Sequence, residues 1–191
     1  MIQALLHHKL TDKQENMEDI LTSNVFGLLK YARPECGLFR FLARAQTLDG
    51  HFPLADLVAR GDTQPARVEY EFWPGWMTEN CEPCQPDVVV NICSASRLVV
   101  CIEAKYWSGK SSLAAEDKDD DEDEGDLGDD AGADFDEGGN GRRPSDQLAK
   151  EWSHLVARAT KLDARPVLIY LTADLSCPRD ELRDSIKDCG K

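Results

Sequence analysis

Two aliphatic runs dominate the middle of the chain, Val88-Val89-Val90-Asn91-Ile92 and Leu98-Val99-Val100-Cys101-Ile102. β-Branched residues at this density, bounded by Pro86 and separated by Ser94-Ala95-Ser96, predict a hairpin of two well-buried strands. A turn at Ser94-Ala95-Ser96 pairs Cys93 with Arg97 and brings Asp87 opposite Glu103. Upstream, Thr11-Asp12-Lys13-Gln14 has the form of a capping box. The helix it opens is expected to reach about Tyr31, with Met17, Ile20, Leu21, Val25, Leu28 and Leu29 on its apolar face. Pro34 ends it; residues 38–45 predict a short second helix, and 51–61 are expected to be irregular or briefly helical. Residues 67–73 alternate and read as a strand stopped by Pro74-Gly75. Val68, Tyr70 and Phe72 should face its core, with Glu69 and Glu71 outward or toward a cleft.

Downstream, Arg142-Arg143-Pro144-Ser145 opens a predicted helix whose apolar stripe is Leu148, Trp152, Leu155, Val156 and Ala159. Gln147, Glu151 and His154 lie on an adjacent stripe at helical spacing. Residues 165–172 read as a buried strand, and strand–helix–strand predicts a parallel crossover. Pro178 starts a last helix to about Ile186 with a thin apolar side, Leu182 and Ile186, as expected of a fragment or of a domain that leans on a partner. The class is α/β.

The formal charge of −14 changes this picture less than it suggests. Of 36 acidic and 22 basic residues, 14 acids and one lysine lie in 116–137, leaving 22 acids and 21 basic residues elsewhere, a net −1. The folded part is near neutral, and the low pI does not exclude a nucleic-acid substrate. Residues 116–140 form a low-complexity acidic insertion that cannot bury enough surface to offset its ordering entropy, so disorder is expected there. Residues 1–115 and 141–191 then make one domain. The insertion reads as a solvated excursion or as a tethered polyanion that competes for the cleft.

Seven cysteines, an odd number, point to a reducing cytoplasm rather than a disulfide scaffold. Cys93 and Cys101 fall inside the apolar strands. Cys81 and Cys84 form a CxxC pair without the second close pair that zinc requires, and read as structural thiols in a loop. No apolar run reaches membrane-spanning length, so no membrane partner is expected, and the first residues are too polar for a secretory signal. Gly109-Lys110-Ser111 resembles the end of a phosphate-binding loop, but position 104, where its first glycine belongs, is alanine.

The chemistry collects at one end of the hairpin. Glu103 and Lys105, two apart on a strand, share a face, and Asp87 stands opposite Glu103 with Cβ atoms about 5 Å apart. Carboxylates this close repel, and a divalent cation relieves the repulsion. Two carboxylates, the Ala104 carbonyl and water suit Mg²⁺, a hard ion that keeps several waters. Lys105 would orient or deprotonate a metal-bound water, or stabilise charge on a phosphate.

Pro86-Asp87 followed by Glu103-Ala104-Lys105 resembles the PD-(D/E)xK motif of the restriction-endonuclease-like nuclease superfamily. The resemblance implies a mixed sheet flanked by helices in the order αβββαβ. It also implies phosphodiester hydrolysis with Mg²⁺, or Mn²⁺ as a substitute. The first core helix often supplies an acid in that family, which makes Glu18 a candidate ligand against the alternative of an ordinary surface glutamate. A glutamine from the helix after the Glu-x-Lys strand matches Gln147, and Asp87, Glu103, Lys105 and Gln147 form the expected catalytic set. Tyr106, Trp107 and Lys110 are expected to wall a substrate cleft, or else to cap the sheet end. The implied partner is nucleic acid, DNA ahead of RNA, with a homodimer or a larger protein assembly also in view. The alternatives are a catalytically inactive module of the same fold and an interaction protein whose acidic segment is its active part.

Overall fold

The structure, a computed structural model, describes residues 6, 17–57, 66–78, 81–94, 96–105, 146–173 and 177–189. In chain order the elements are helices α1 (Met17–Tyr31) and α2 (Leu38–Leu42), strands β1 (Arg67–Phe72), β2 (Trp76–Thr78), β3 (Cys81–Cys84), β4 (Val88–Cys93) and β5 (Arg97–Lys105), helix α3 (Gln147–Lys161), strand β6 (Arg165–Thr172) and helix α4 (Arg179–Cys189). Four strands form a mixed sheet in the order β1-β4-β5-β6. β1 and β5 run antiparallel to β4, and β6 runs parallel to β5. The sheet is flanked by helices.

The hairpin register is the one the two apolar runs predict, with Cys93 opposite Arg97 and Val88 opposite Ile102. Alternation divides the sheet cleanly. Val88, Val90, Ile92, Leu98, Val100 and Ile102 face one core with Phe26, Leu38, Phe39, Leu42 and Phe72. Val89, Val99 and Cys101 face a second core with Trp76, Leu155 and Ala159. Burying each aliphatic side chain is worth about 1.5–3 kcal/mol. A one-residue slip would send every side chain of the strand to the wrong face, so both cores defend the register.

Several elements depart from expectation. The buried face of α1 is Thr22, Ser23 and Phe26, while Leu21, Val25 and Leu28 are 43, 37 and 74 % exposed. The helix meets the core through Phe26, with the partly buried Leu29 packed beside it, and buries two small hydroxyl side chains, so its contact face is rotated from the fullest apolar stripe. Helix α3 is described from Asp146, which caps it by accepting from the N–H groups of Leu148 (2.9 Å) and Ala149 (3.3 Å). The predicted opening at 142–145 lies outside the described residues. In α3 Val156 is 37 % exposed, whereas Glu151 and His154 are buried, so the polar stripe also faces the protein.

Cys81 and Cys84 bound strand β3, not a loop; β3 pairs with β2 in a small ribbon that packs on α3. Cys93 is exposed because it ends its strand beside the turn. β6 is half-buried along its length rather than buried, because it forms an edge of the sheet. In α4 the buried residue is Ser185, and Ile186 is exposed. Strand β1 ends at Phe72, one residue early. Trp73 is buried in the left-handed region at φ 45°, a conformation that costs a bulky residue on the order of 1–3 kcal/mol. No helix among the described residues is long and apolar enough to cross a membrane.

Candidate functional site

β5 outruns its partner. β4 begins at Val88, opposite Ile102, so Glu103, Ala104 and Lys105 overhang on that side while still pairing with Tyr170, Leu171 and Thr172 of β6. Asp87 fills the next rung with its side chain: Oδ2 accepts from the Ala104 N–H at 2.8 Å. Its own backbone is held from the other side, where its carbonyl accepts from the Trp73 N–H at 2.9 Å. In an extended strand the N–H and C=O of one residue face the same edge, so the Ala104 carbonyl also turns toward Asp87.

Glu103 and Lys105 project onto the α3 face, where Lys105 Nζ reaches Glu103 Oε1 at 2.7 Å. From the first residue of α3, Gln147 Nε2 donates to Glu103 Oε1 (2.8 Å) and to Glu151 Oε1 (3.0 Å), clamping a strand carboxylate to a helix carboxylate. Glu103 is 2 % exposed and Glu151 is fully buried. The other oxygen of each, Oε2, is buried and has no hydrogen-bond partner among the described residues. Beneath them on the same face of β5 lies the buried thiol of Cys101.

The electrostatics follow from this crowding. Burial, then the Glu103 charge, pushes the Asp87 carboxyl up to about 7, against the pull of the Ala104 N–H and the Lys105 ammonium. Burial, then the Glu103 charge, pushes Glu151 up to about 9. The Cys101 thiol is driven well above its ordinary value by burial and by Glu151 and Glu103. At neutral pH the protonated form of Glu151 is therefore favoured, Asp87 gives up its proton less readily than an ordinary aspartate, and Cys101 is a neutral thiol. The site is short of positive charge.

That shortage tests the fit of a divalent cation. An orphaned carboxylate oxygen on Glu103, an Asp87 that resists ionisation and an all-oxygen donor set suit a hard cation that supplies charge and retains water. As the side chains stand, no three His, Cys, Asp or Glu among the described residues gather as a ready-made metal cage. A hydrated ion on two carboxylates and a carbonyl requires none.

No family model, no curated protein and no solved structure matches this chain.

Of the residues singled out from the sequence, the fold brings together Asp87, Glu103, Ala104, Lys105 and Gln147. The Glu18 side chain and Tyr106, Trp107 and Lys110 lie outside the described residues, as does the acidic insertion. Among the described residues, an α1 acid whose charge acts on Asp87 is Asp19, the neighbour of Glu18. In the sequence Glu151 stands out only as part of a polar stripe, and its i, i+4 spacing from Gln147 is the available signal. His154 on that stripe has a structural partner instead: Nε2 stands 2.9 Å from the Glu82 carbonyl, and Glu82 also pairs with Lys150. These bonds fasten the ribbon to α3.

Proposed function

We propose that this chain is a Mg²⁺-dependent nuclease, with Mn²⁺ as a substitute, that hydrolyses phosphodiester bonds of nucleic acid, DNA ahead of RNA. The observation that carries this reading is the meeting of Asp87, Glu103 and Lys105 at the end of the β4–β5 hairpin, tied through the Ala104 N–H and the Gln147 amide. The order α1, β1, β4, β5, α3, β6 supports a restriction-endonuclease-like core, with the β2–β3 ribbon set between β1 and β4. Free thiols at each cysteine whose side chain is described support a reducing, cytoplasmic setting.

Asp87, Glu103 and the Ala104 carbonyl would hold the cation. Bound there, it supplies a Lewis acid for the phosphate oxygen and acidifies a water. The chain's own groups do the rest. Asp87 is held by a backbone donor and so presents its second oxygen in a defined direction. Gln147 fixes the Glu103 carboxylate. Lys105 lies beside that carboxylate, where an ammonium can orient the attacking water and stabilise charge growing on the phosphate.

The test is incubation of the full chain with plasmid, linear DNA and RNA plus Mn²⁺, with Lys105→Ala as control. Cleavage by the parent that is lost in the variant is the expected result. Equal cleavage by both, or by neither, overturns the proposal.

A further inference from the structure

Where α1 passes the ends of β5 and β6 the core is not filled. Leu21, Thr22 and Val25 of the helix stand across a cavity of about 140 Å³ from Ala104 of β5, Leu171 of β6 and Ala173 just beyond it. Thr22, Ala104 and Ala173 are small where larger side chains would close the space. The wall is almost wholly apolar. Leu21 and Val25 keep 43 and 37 % of their surface exposed, so the cavity opens to solvent along the helix. Thr22 is 2 % exposed, and its hydroxyl has no hydrogen-bond partner among the described residues, which leaves one unspent donor in the helix wall. The position is also informative. β5 and β6 are parallel, and open α/β sheets take ligands at the carboxyl ends of such strands. Ala104 lines this cavity, and the carbonyl of the same residue is one of the oxygens offered to the cation.

We propose that this cavity takes one unpaired pyrimidine base, thymine before uracil, from the strand whose phosphate meets the Asp87–Glu103 centre. The inference rests on the nuclease reading for that phosphate, but its test stands apart from cleavage. An apolar cavity of about 150 Å³ takes up a single benzene ring. This one therefore suits one six-membered ring and is too small to enclose a two-ring purine. The C5 methyl and the adjoining C–H edge of thymine are apolar and can enter an apolar wall. The neighbouring O4 is an acceptor for the Thr22 hydroxyl, and the rest of the polar edge stays toward the mouth. A base seated here is neither paired nor stacked on its neighbours, so the substrate is a single strand, or an end or bulge that offers an unpaired base.

The experiment measures binding of fluorescein-labelled decamers of deoxythymidine, deoxyuridine and deoxyadenosine to the full chain by fluorescence anisotropy, with Ca²⁺ in place of Mn²⁺. Wild type is compared with Thr22→Leu, which fills the cavity from the helix. Ala173→Leu fills it from an exposed position that folding tolerates, and thermal unfolding checks both. Wild type should bind deoxythymidine about fourfold more tightly than deoxyuridine, the worth of one buried methyl group. Deoxyadenosine should bind more weakly than either. Each filler should weaken deoxythymidine binding about tenfold, the scale of losing one seated base, and should erase the difference between thymidine and uridine. Equal affinities in the wild type, fillers that keep the methyl preference, or no binding of any decamer overturn the inference. Fillers that change the oligomeric state on gel filtration while the preference stands show that the cavity receives a protein side chain, and overturn it equally. In each of these cases plasmid cleavage that depends on Lys105 leaves the nuclease reading intact. A methyl preference that the fillers erase, without any cleavage, keeps the base pocket and sinks the nuclease reading.

Discussion

Lys105 meets Glu103 from two residues along the same strand, its side chain only 13 % exposed. A buried ion pair of this kind is poor evidence of stability, because desolvation offsets most of the attraction. Its value lies in fixing an ammonium beside the carboxylate that would carry the cation. Lys105→Ala should therefore lower kcat by about 10²–10³-fold, the usual size for losing one group that stabilises transition-state charge. Losing the ammonium also leaves the buried Glu103 carboxylate short of a partner, so the Tm should fall, while KM should change less than kcat. Gln147 shows chiefly in stability. It is the donor shared by two buried acids, so Gln147→Leu should cost about 1–3 kcal/mol of stability, read by urea unfolding at pH 8. A variant as stable as the parent would mean the clamp is unimportant.

Among the elements, the hairpin could be read from the sequence and the first helix could not. Two dense β-branched runs around a three-residue turn admit one register, because any slip exposes the whole set. That register carried Asp87, Glu103 and Lys105 to one face. Helix α1 offers two apolar sides, Leu21-Val25-Leu28 and Phe26-Leu29, and its own periodicity cannot say which one the sheet takes. The structure chooses Phe26, which is 1 % exposed and meets Phe41 edge-on at 5.5 Å. Phe26→Ala should then cost about 3–5 kcal/mol, while Leu28→Ala should stay within about 0.5 kcal/mol, both measured by chemical denaturation. Equal losses would contradict the orientation of α1. Glu151 was hidden for a related reason. A glutamate on a helix is usually solvated, and only the meeting of α3 with the β5 overhang shows that this one is not. The β2–β3 ribbon, three and four residues long, was too short for an alternation pattern to reveal.

For the molecule as a whole, the acids at the site make stability depend on pH in a direction opposite to that of most folded proteins. Asp87 and Glu151 have ordinary values of 3.8 and 4.5 and folded values of about 7 and about 9. Well below 3.8 both are protonated whether the chain is folded or not, and they add no pH dependence. As pH rises, the unfolded chain ionises first and the folded one lags. Stability is lost through the Asp87 window up to about 7 and through the Glu151 window up to about 9. Within its window each group costs about 1.4 kcal/mol per pH unit, an upper figure that charge screening reduces. Between pH 7 and 9 the slope belongs mainly to Glu151. In EDTA the unfolding midpoint of the wild type should fall steadily from pH 5 to 9, and Glu151→Gln should flatten the upper part of that curve. A cation that binds only the folded state reverses the trend, since its ligands must be deprotonated and its stabilisation grows with concentration over Kd. Millimolar Mn²⁺ should accordingly raise the midpoint more at pH 8.5 than at pH 6. A rise that is the same at both values would show that the carboxylates pushed up by burial are not the groups that take the ion.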